Sequence, residues 1–130
     1  MLKKNYHDVE EEQVTLEGSS GATIRIPTTT TDGAPRFTLC RFEIKLGGKI
    51  WVREHPEEHE IYVLTGRARI FDEKGHETTA GPGDVVFVPS YEKHGYENLQ
   101  RNLKLGLHSP NTGHRIADSF RERESTTLLF

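Results

Sequence analysis

The chain has 130 residues, of which 17 are Lys or Arg and 20 are Asp or Glu, so its formal net charge is −3. This length suits one domain, which can bury a core without a disulfide or a structural metal. A mildly acidic chain without a basic stripe argues against nucleic-acid binding. We expect no membrane partner, because no apolar run approaches the ~20 residues of a spanning helix. The lone Cys40 and the lack of a signal-like N-terminus predict a cytoplasmic protein.

Short apolar or β-branched runs separated by turns recur along the chain. In chain order they lie at 22–27, 37–46, 49–54, 60–66, 67–73, 76–80, 84–90, 94–98 and 103–109. Alternating side chains with Gly and Pro between the runs predict an all-β sandwich or barrel. We expect an N-terminal extension or edge strand at 1–20, the barrel at 21–112, and a tail with a possible short helix at 113–130.

Two histidines, His55 and His59, stand four residues apart just before a predicted strand. On one straight strand they would be ~13 Å apart, too far to share a metal ion. A helix would bring them together, but Pro56 disfavours one. A tight turn through Pro56 would instead place the two imidazoles on neighbouring antiparallel strands. The alternative is that both histidines are simply solvated.

A third histidine occupies a similar setting. His94 follows a turn and begins a predicted strand, as His59 does. Three neutral imidazoles that converge at the mouth of a barrel are a common ligand set for Mn, Fe, Ni, Cu or Zn. The sequence therefore makes His55, His59 and His94 candidate ligands of one divalent transition metal.

Residues 83–98 resemble the second sequence motif of the cupin superfamily. The matching positions are Gly83, Pro89, His94 and Asn98, and Tyr91 replaces a glycine. The resemblance continues through most of residues 20–110. It implies a single cupin barrel of the jelly-roll type, a metal held inside it, and a homodimer.

The first cupin motif matches with one departure. His55 and Gly66 fall on motif positions, and His59 takes the position of the glutamate, as in small four-histidine cupins. The first histidine position holds Arg53, whose guanidinium cannot ligate a metal. We expect Arg53 to bind a small anionic ligand beside the metal, with pairing to a nearby glutamate as the alternative. Tyr96, two residues after His94, is a candidate cavity wall that contacts substrate.

The remaining candidates are weaker. Glu57 and Glu58 are expected to form a solvated turn, although either could supply an oxygen ligand. Glu58 is the weaker candidate, because the related four-histidine cupins carry a glutamate there as well. His76 is expected to be exposed, and His108 to point away from the metal because Leu107 should face inward. Cys40 lies within an apolar strand and is expected to be a buried small side chain rather than a nucleophile.

Three hypotheses for function follow. The resemblance favours a metal-dependent oxygenase or dioxygenase that acts on a small enolate or carboxylate, because three imidazoles leave coordination positions free. The second hypothesis is a non-redox isomerase or lyase for a small hydroxy or keto acid, with the metal as Lewis acid. The third is a non-catalytic module that binds a small ligand.

Overall fold

The computed structural model describes residues 1–52, 55–100 and 103–111, and this part of the chain is almost entirely β-structure. Its regular elements are nine strands and two 3-10 turns. The strands are β1 (Glu12–Gln13), β2 (Ser20–Thr28), β3 (Phe37–Val52), β4 (His59–Thr65), β5 (Ala68–Asp72), β6 (Glu77–Ala80), β7 (Val85–Val88), β8 (His94–Asn98) and β9 (Leu103–Pro110), and the 3-10 turns are Tyr6–Asp8 and Thr30–Asp32. The all-β prediction is therefore confirmed.

The strands form one sheet that curls into a nearly closed barrel of the cupin, jelly-roll type. Its hydrogen-bonded order is β6-β5-β8-β3-β9-β4-β7, with β2 on the other edge of β3 and β1 on β2. Every pairing is antiparallel. Neighbours in the sheet are far apart in the chain, so distant segments such as β4 and β8 contribute side chains to the same interior.

Strand β3 organises the barrel because it changes partner along its length. Residues 37–44 pair with β9, and residues 49–52 pair with β8. The sequence predicts two runs, at 37–46 and 49–54, with Gly47-Gly48 as the turn between them, but the strand continues through both glycines. Gly47 adopts a φ of 77°. A Cβ on Gly48 would lie 2.9 Å from three carbonyl oxygens. Gly47 therefore provides a left-handed backbone conformation within the strand, and Gly48 allows close backbone approach.

The interior of the barrel is apolar. In β4, for example, Ile61 and Val63 are buried while Tyr62 between them is half exposed, as period-2 alternation requires. The buried hydrophobic residues also include Ala22, Ile24, Cys40, Phe42, Ile44, Ile50, Ala68, Ile70, Ala80, Val88, Tyr96, Leu105 and Leu107. No helix in the described part of the chain has the length and apolar character needed to cross a membrane.

Candidate metal centre

Two of the three candidate ligands are the first residues of strands, and the third lies in a loop. His59 is the first residue of β4 and His94 the first residue of β8. His55 precedes a bend at Pro56 and Glu57 and is not in a strand. The prediction that His55 and His59 lie on paired antiparallel strands is therefore wrong. The chain bends without forming a hairpin, since β4 pairs with β7 and β9.

The bend nevertheless brings the imidazoles together. The ring centroids of His55 and His59 are 4.3 Å apart, and His94 lies 5.7 Å from His55 and 5.3 Å from His59. One nitrogen from each ring lies within 4.8 Å of the other two. All three side chains are buried. This geometry allows the three histidines to hold a single metal ion.

Hydrogen bonding prepares His94 for this role. The 2.8 Å contact between its Nδ1 and the carbonyl oxygen of Glu92 makes Nδ1 the donor, because a carbonyl only accepts. Nε2 then carries the lone pair. Nε2 is buried and has no hydrogen-bond partner among the described residues. A buried nitrogen acceptor without a hydrogen-bond partner is suited to bind a metal ion. In metal sites the other ring nitrogen of a ligating histidine usually donates a hydrogen bond to an oxygen, as Nδ1 of His94 does.

Burial keeps the imidazoles of His59 and His94 in their neutral form. Burial, with smaller contributions from His55 and His94, lowers the pKa of His59 to about 2. Burial also lowers the pKa of His94 to about 4, although the bond to Glu92 acts in the opposite direction. Neutral imidazole is the form that binds metal, so no proton has to leave these two residues at neutral pH.

These pKa values predict how the metal-free protein responds to acid. Below pH 6.5 the unfolded chain protonates both histidines, whereas folded His94 stays neutral down to about pH 4. Stability should therefore fall between pH 6.5 and 4, by about 1.4 kcal/mol per pH unit for each histidine. Urea unfolding at pH 7 and pH 5 measures this slope. His94→Gln should flatten it, His7→Gln at an exposed position should not, and equal slopes in all three proteins would contradict the prediction.

A backbone contact joins the two loops that carry His55 and His94. The amide of Tyr91 donates a 2.8 Å hydrogen bond to the carbonyl oxygen of His55. Tyr91 has a φ of 63°, which glycine adopts at lower cost. This explains why the motif has a glycine at the position of Tyr91. The left-handed backbone lets the loop after β7 reach the loop after β3.

Tyr96 and Asn98 were also singled out from the sequence, and the structure describes both. The ring of Tyr96 is buried with its centroid 5.3 Å from that of His94, and its hydroxyl has no hydrogen-bond partner within the described segments. Arg53 lies outside the described residues, as does the expected C-terminal tail at 113–130 with its short helix. Asn98, the last residue of the second motif, donates to the carbonyl oxygen of Ile44 at 2.7 Å and so holds β8 against β3.

Sequence reasoning missed the burial of Glu57. We expected a solvated turn, and Glu58 is indeed exposed, but Glu57 is only 1% exposed. Its Oε2 lies 3.4 Å from Nδ1 of His55. The bend at Pro56 turns one glutamate inward and the next outward. The resemblance made Glu58 the weaker candidate ligand, but the residues themselves do not predict which glutamate is buried.

The residues given structural interpretations lie away from the centre. Cys40 is fully buried, and burial raises the pKa of its thiol far above the usual range. A nucleophilic thiol would need the opposite shift. The side chain of His76 is 80% exposed. His108 stacks on Phe37 at the outer surface with a centroid distance of 4.5 Å, and Leu107 faces inward.

The barrel and its three inward histidines define a class of protein. Residues 40–105 match the family model of the Cupin domain. The match covers half of the chain, so the protein belongs to the cupin family. A comparison with curated protein sequences found no match.

Among proteins of known structure, the chain is similar to the polyketide cyclase RemF from Streptomyces resistomycificus. The two share 33% identity over 85% of this chain and 79% of RemF, with a TM-score of 0.77. A predicted oxalate decarboxylase from Thermotoga maritima shares 18% identity over 85% of this chain and all of its own, with a TM-score of 0.73. Oxalate decarboxylase of Bacillus subtilis, described with Mn(II) centres, shares 21% identity over 89% of this chain but only 31% of its own, with a TM-score of 0.72. The last two show the fold alone.

Proposed function

We propose that the protein is a metal-dependent enzyme that closes rings in enolisable poly-β-ketones, without consuming oxygen. The observation that carries the proposal is the convergence of three buried imidazoles on one point. The 33% identity to a polyketide cyclase supplies the substrate class. This proposal is closest to the hypothesis of a non-redox metalloenzyme that uses its metal as a Lewis acid.

The residues present fit a divalent transition metal. His94 offers a buried Nε2, and its Nδ1 is already bonded to a carbonyl. One nitrogen from each of His55, His59 and His94 lies within 4.8 Å of the other two. Three imidazoles leave positions free for substrate oxygens. When bound, the metal would polarise a ketone oxygen and make the adjacent C–H bond more acidic.

The reaction is an intramolecular aldol addition. A proton leaves the methylene carbon between two carbonyls, that carbon bonds to a distant ketone carbon, and the ketone oxygen gains a proton. Loss of one water can follow. The apolar walls of the barrel, including Ile61 and Leu107, would exclude solvent and hold the poly-β-ketone substrate in a folded conformation. We infer that the buried Tyr96 hydroxyl, which has no hydrogen-bond partner among the described residues, would donate to a substrate oxygen. Arg53 stays the predicted anchor for an anionic group.

An oxygenase acting on a small enolate or carboxylate is the second candidate. The free positions left by three neutral imidazoles favour it, because an enolate and O₂ could bind side by side. The same site would then perform redox chemistry. The identity of the metal decides between the two, since zinc supports only the first.

Anaerobic and aerobic assays separate the candidates. The protein, loaded in turn with Zn, Mn and Fe(II), is incubated with a short linear poly-β-ketone thioester and with a panel of 1,3-diketones and catechols. We expect a cyclised product, isomeric with the substrate or lighter by one water, at the same rate with and without oxygen. The background rate of cyclisation is measured in buffer alone and with the His94→Ala variant.

Turnover only with oxygen and a redox-active metal, with oxygen atoms in the product, would replace the cyclase proposal with the oxygenase. Retention of a ligand without turnover under any condition would leave only a binding module. Neither of these results would affect the assignment to the cupin family.

We also propose that the protein is a homodimer, formed through the outer face of β3, β9, β4 and β7. Large apolar side chains are concentrated on this face, where a solvated sheet would carry polar groups. Those more than a third exposed are Phe37, Leu39, Tyr62, Leu64, Val85 and Phe87. A cytoplasmic location and the four-histidine subtype with Arg53 at the first position stay predictions from the sequence.

A groove of about 450 Å³ crosses this face. Arg41, Gly106 and Tyr62 are cross-strand neighbours, and the missing side chain at Gly106 leaves a channel between the other two. Arg41 stacks under the Tyr6 ring at 3.4 Å, and its buried Nε and Nη1 have no acceptor in the described part of the chain. Glu60 is exposed on the same face. A two-fold axis would place the Glu60 carboxylate of a second copy against Arg41, which makes the face self-complementary.

A further inference from the structure

Glu57 is a buried carboxylate that lies beside the three candidate ligands. It is 1% exposed, and burying a carboxylate is costly unless a partner uses the charge. In the part of the chain that the structure describes, the groups whose metal-ligating atoms all lie within 4.8 Å of one another are the three histidines, without Glu57. Glu57 is therefore placed beside this ligand set rather than in it.

The contact that Glu57 makes points to His55. Its Oε2 lies 3.4 Å from Nδ1 of His55, slightly longer than an ideal hydrogen bond. A small rotation of the ring would close that gap. A carboxylate can only accept, so a bond here places the proton on Nδ1 and the lone pair on Nε2.

The same arrangement already exists at His94. There the acceptor at Nδ1 is the carbonyl oxygen of Glu92, at 2.8 Å. Each of these two imidazoles thus has an oxygen acceptor beside Nδ1, which orients the ring and selects the tautomer that ligates through Nε2. A carboxylate also adds negative charge close to a divalent cation, which a backbone carbonyl cannot do.

We propose that Glu57 is a positioning residue of the metal centre, which orients His55 and partly neutralises the bound cation. This inference rests on the proposed function in one respect only, that the three histidines bind a metal. It goes beyond the family motif, in which no role is assigned to this position. The adjacent Glu58 is exposed and supplies a matched control in the same bend.

Metal affinity tests the inference without any assay of turnover. Zn²⁺ binding is measured by competition with a chromophoric chelator for the wild type, E57A, E57Q and E58A. We expect about 10–100-fold weaker binding for E57A, the usual loss when a residue that orients a ligand is removed. E57Q should lie in between, because its amide oxygen still accepts from Nδ1 but carries no charge. E58A should match the wild type.

The electronic spectrum of bound Co²⁺ separates a positioning residue from a ligand. Saturated E57A should keep the band shape of the wild type, since the same three nitrogens bind. An altered spectrum would make Glu57 a ligand and overturn the positioning role, as would unchanged Zn²⁺ affinity in E57A. Circular dichroism checks folding, and E57Q decides the question if E57A does not fold. Failure of the wild type to bind either metal would instead refute the proposed function, and this inference with it.

Discussion

Replacing His94 with alanine should abolish tight binding of a divalent transition metal and reduce ring closure to the background rate. His94 contributes a buried Nε2 that is already oriented through its bond to Glu92. Loss of a residue that merely orients a ligand weakens metal binding by about 10–100-fold, so loss of the ligand itself should cost more than that. Chelator competition with Zn²⁺ and the anaerobic cyclisation assay measure the two effects.

His76→Ala is the matched control for this prediction. His76 is also a histidine beside a turn, but its side chain is 80% exposed and pairs with Asp72. The His76→Ala variant should bind metal and turn over substrate as the wild type does. If His94→Ala folded and retained wild-type affinity, the three histidines would not be the metal site.

Replacing Phe87 with glutamate should convert the dimer into a monomer. Phe87 is 54% exposed on the outer face of β7, and in the proposed dimer it would be buried against a second copy. Burying an unpaired charge in an interface is strongly unfavourable. We expect the dissociation constant to rise by at least about 100-fold, equivalent to ~2.7 kcal/mol. Sedimentation velocity over a range of concentrations measures it.

Leu46→Glu is the control for the interface. Leu46 is 63% exposed but does not belong to the outer face defined by Phe37, Leu39, Tyr62, Leu64, Val85 and Phe87. The same charge placed there should leave the dimer intact. A wild-type protein that sediments as a monomer at tens of micromolar would refute the proposed dimer. If the Phe87→Glu variant stayed dimeric, the interface would lie on another surface of the barrel.

The sequence predicted the barrel well because strand periodicity is a local property. Ile61 and Val63 face inward while Tyr62 faces outward, as simple alternation requires. The same rule correctly turned His108 away from the interior. The Gly47-Gly48 pair was misread because glycine serves turns and close backbone packing equally well. Only the neighbouring carbonyl oxygens, two of which belong to the distant residues Ser20 and Gly21, distinguish the two uses.

The centre was less predictable because its geometry depends on a bend. Their similar settings, next to a turn and a predicted strand, made His55, His59 and His94 candidates, and the structure places their rings close together. The sequence did not reveal that His55 lies in a loop. Nor could it separate Glu57 from Glu58, which are chemically identical and adjacent. Which of them is buried is decided by backbone torsions around Pro56 and by packing against distant strands, and neither leaves a pattern in the sequence.

Diffraction from crystals grown with a single added metal, recorded at its absorption edge, tests the metal centre most directly. We predict one anomalous peak inside the barrel, about 2.0–2.1 Å from one nitrogen of each of His55, His59 and His94 if the metal is zinc. A barrel without such a peak at saturating metal, or a peak bound by other residues, would contradict the proposed metal centre and the enzyme built on it.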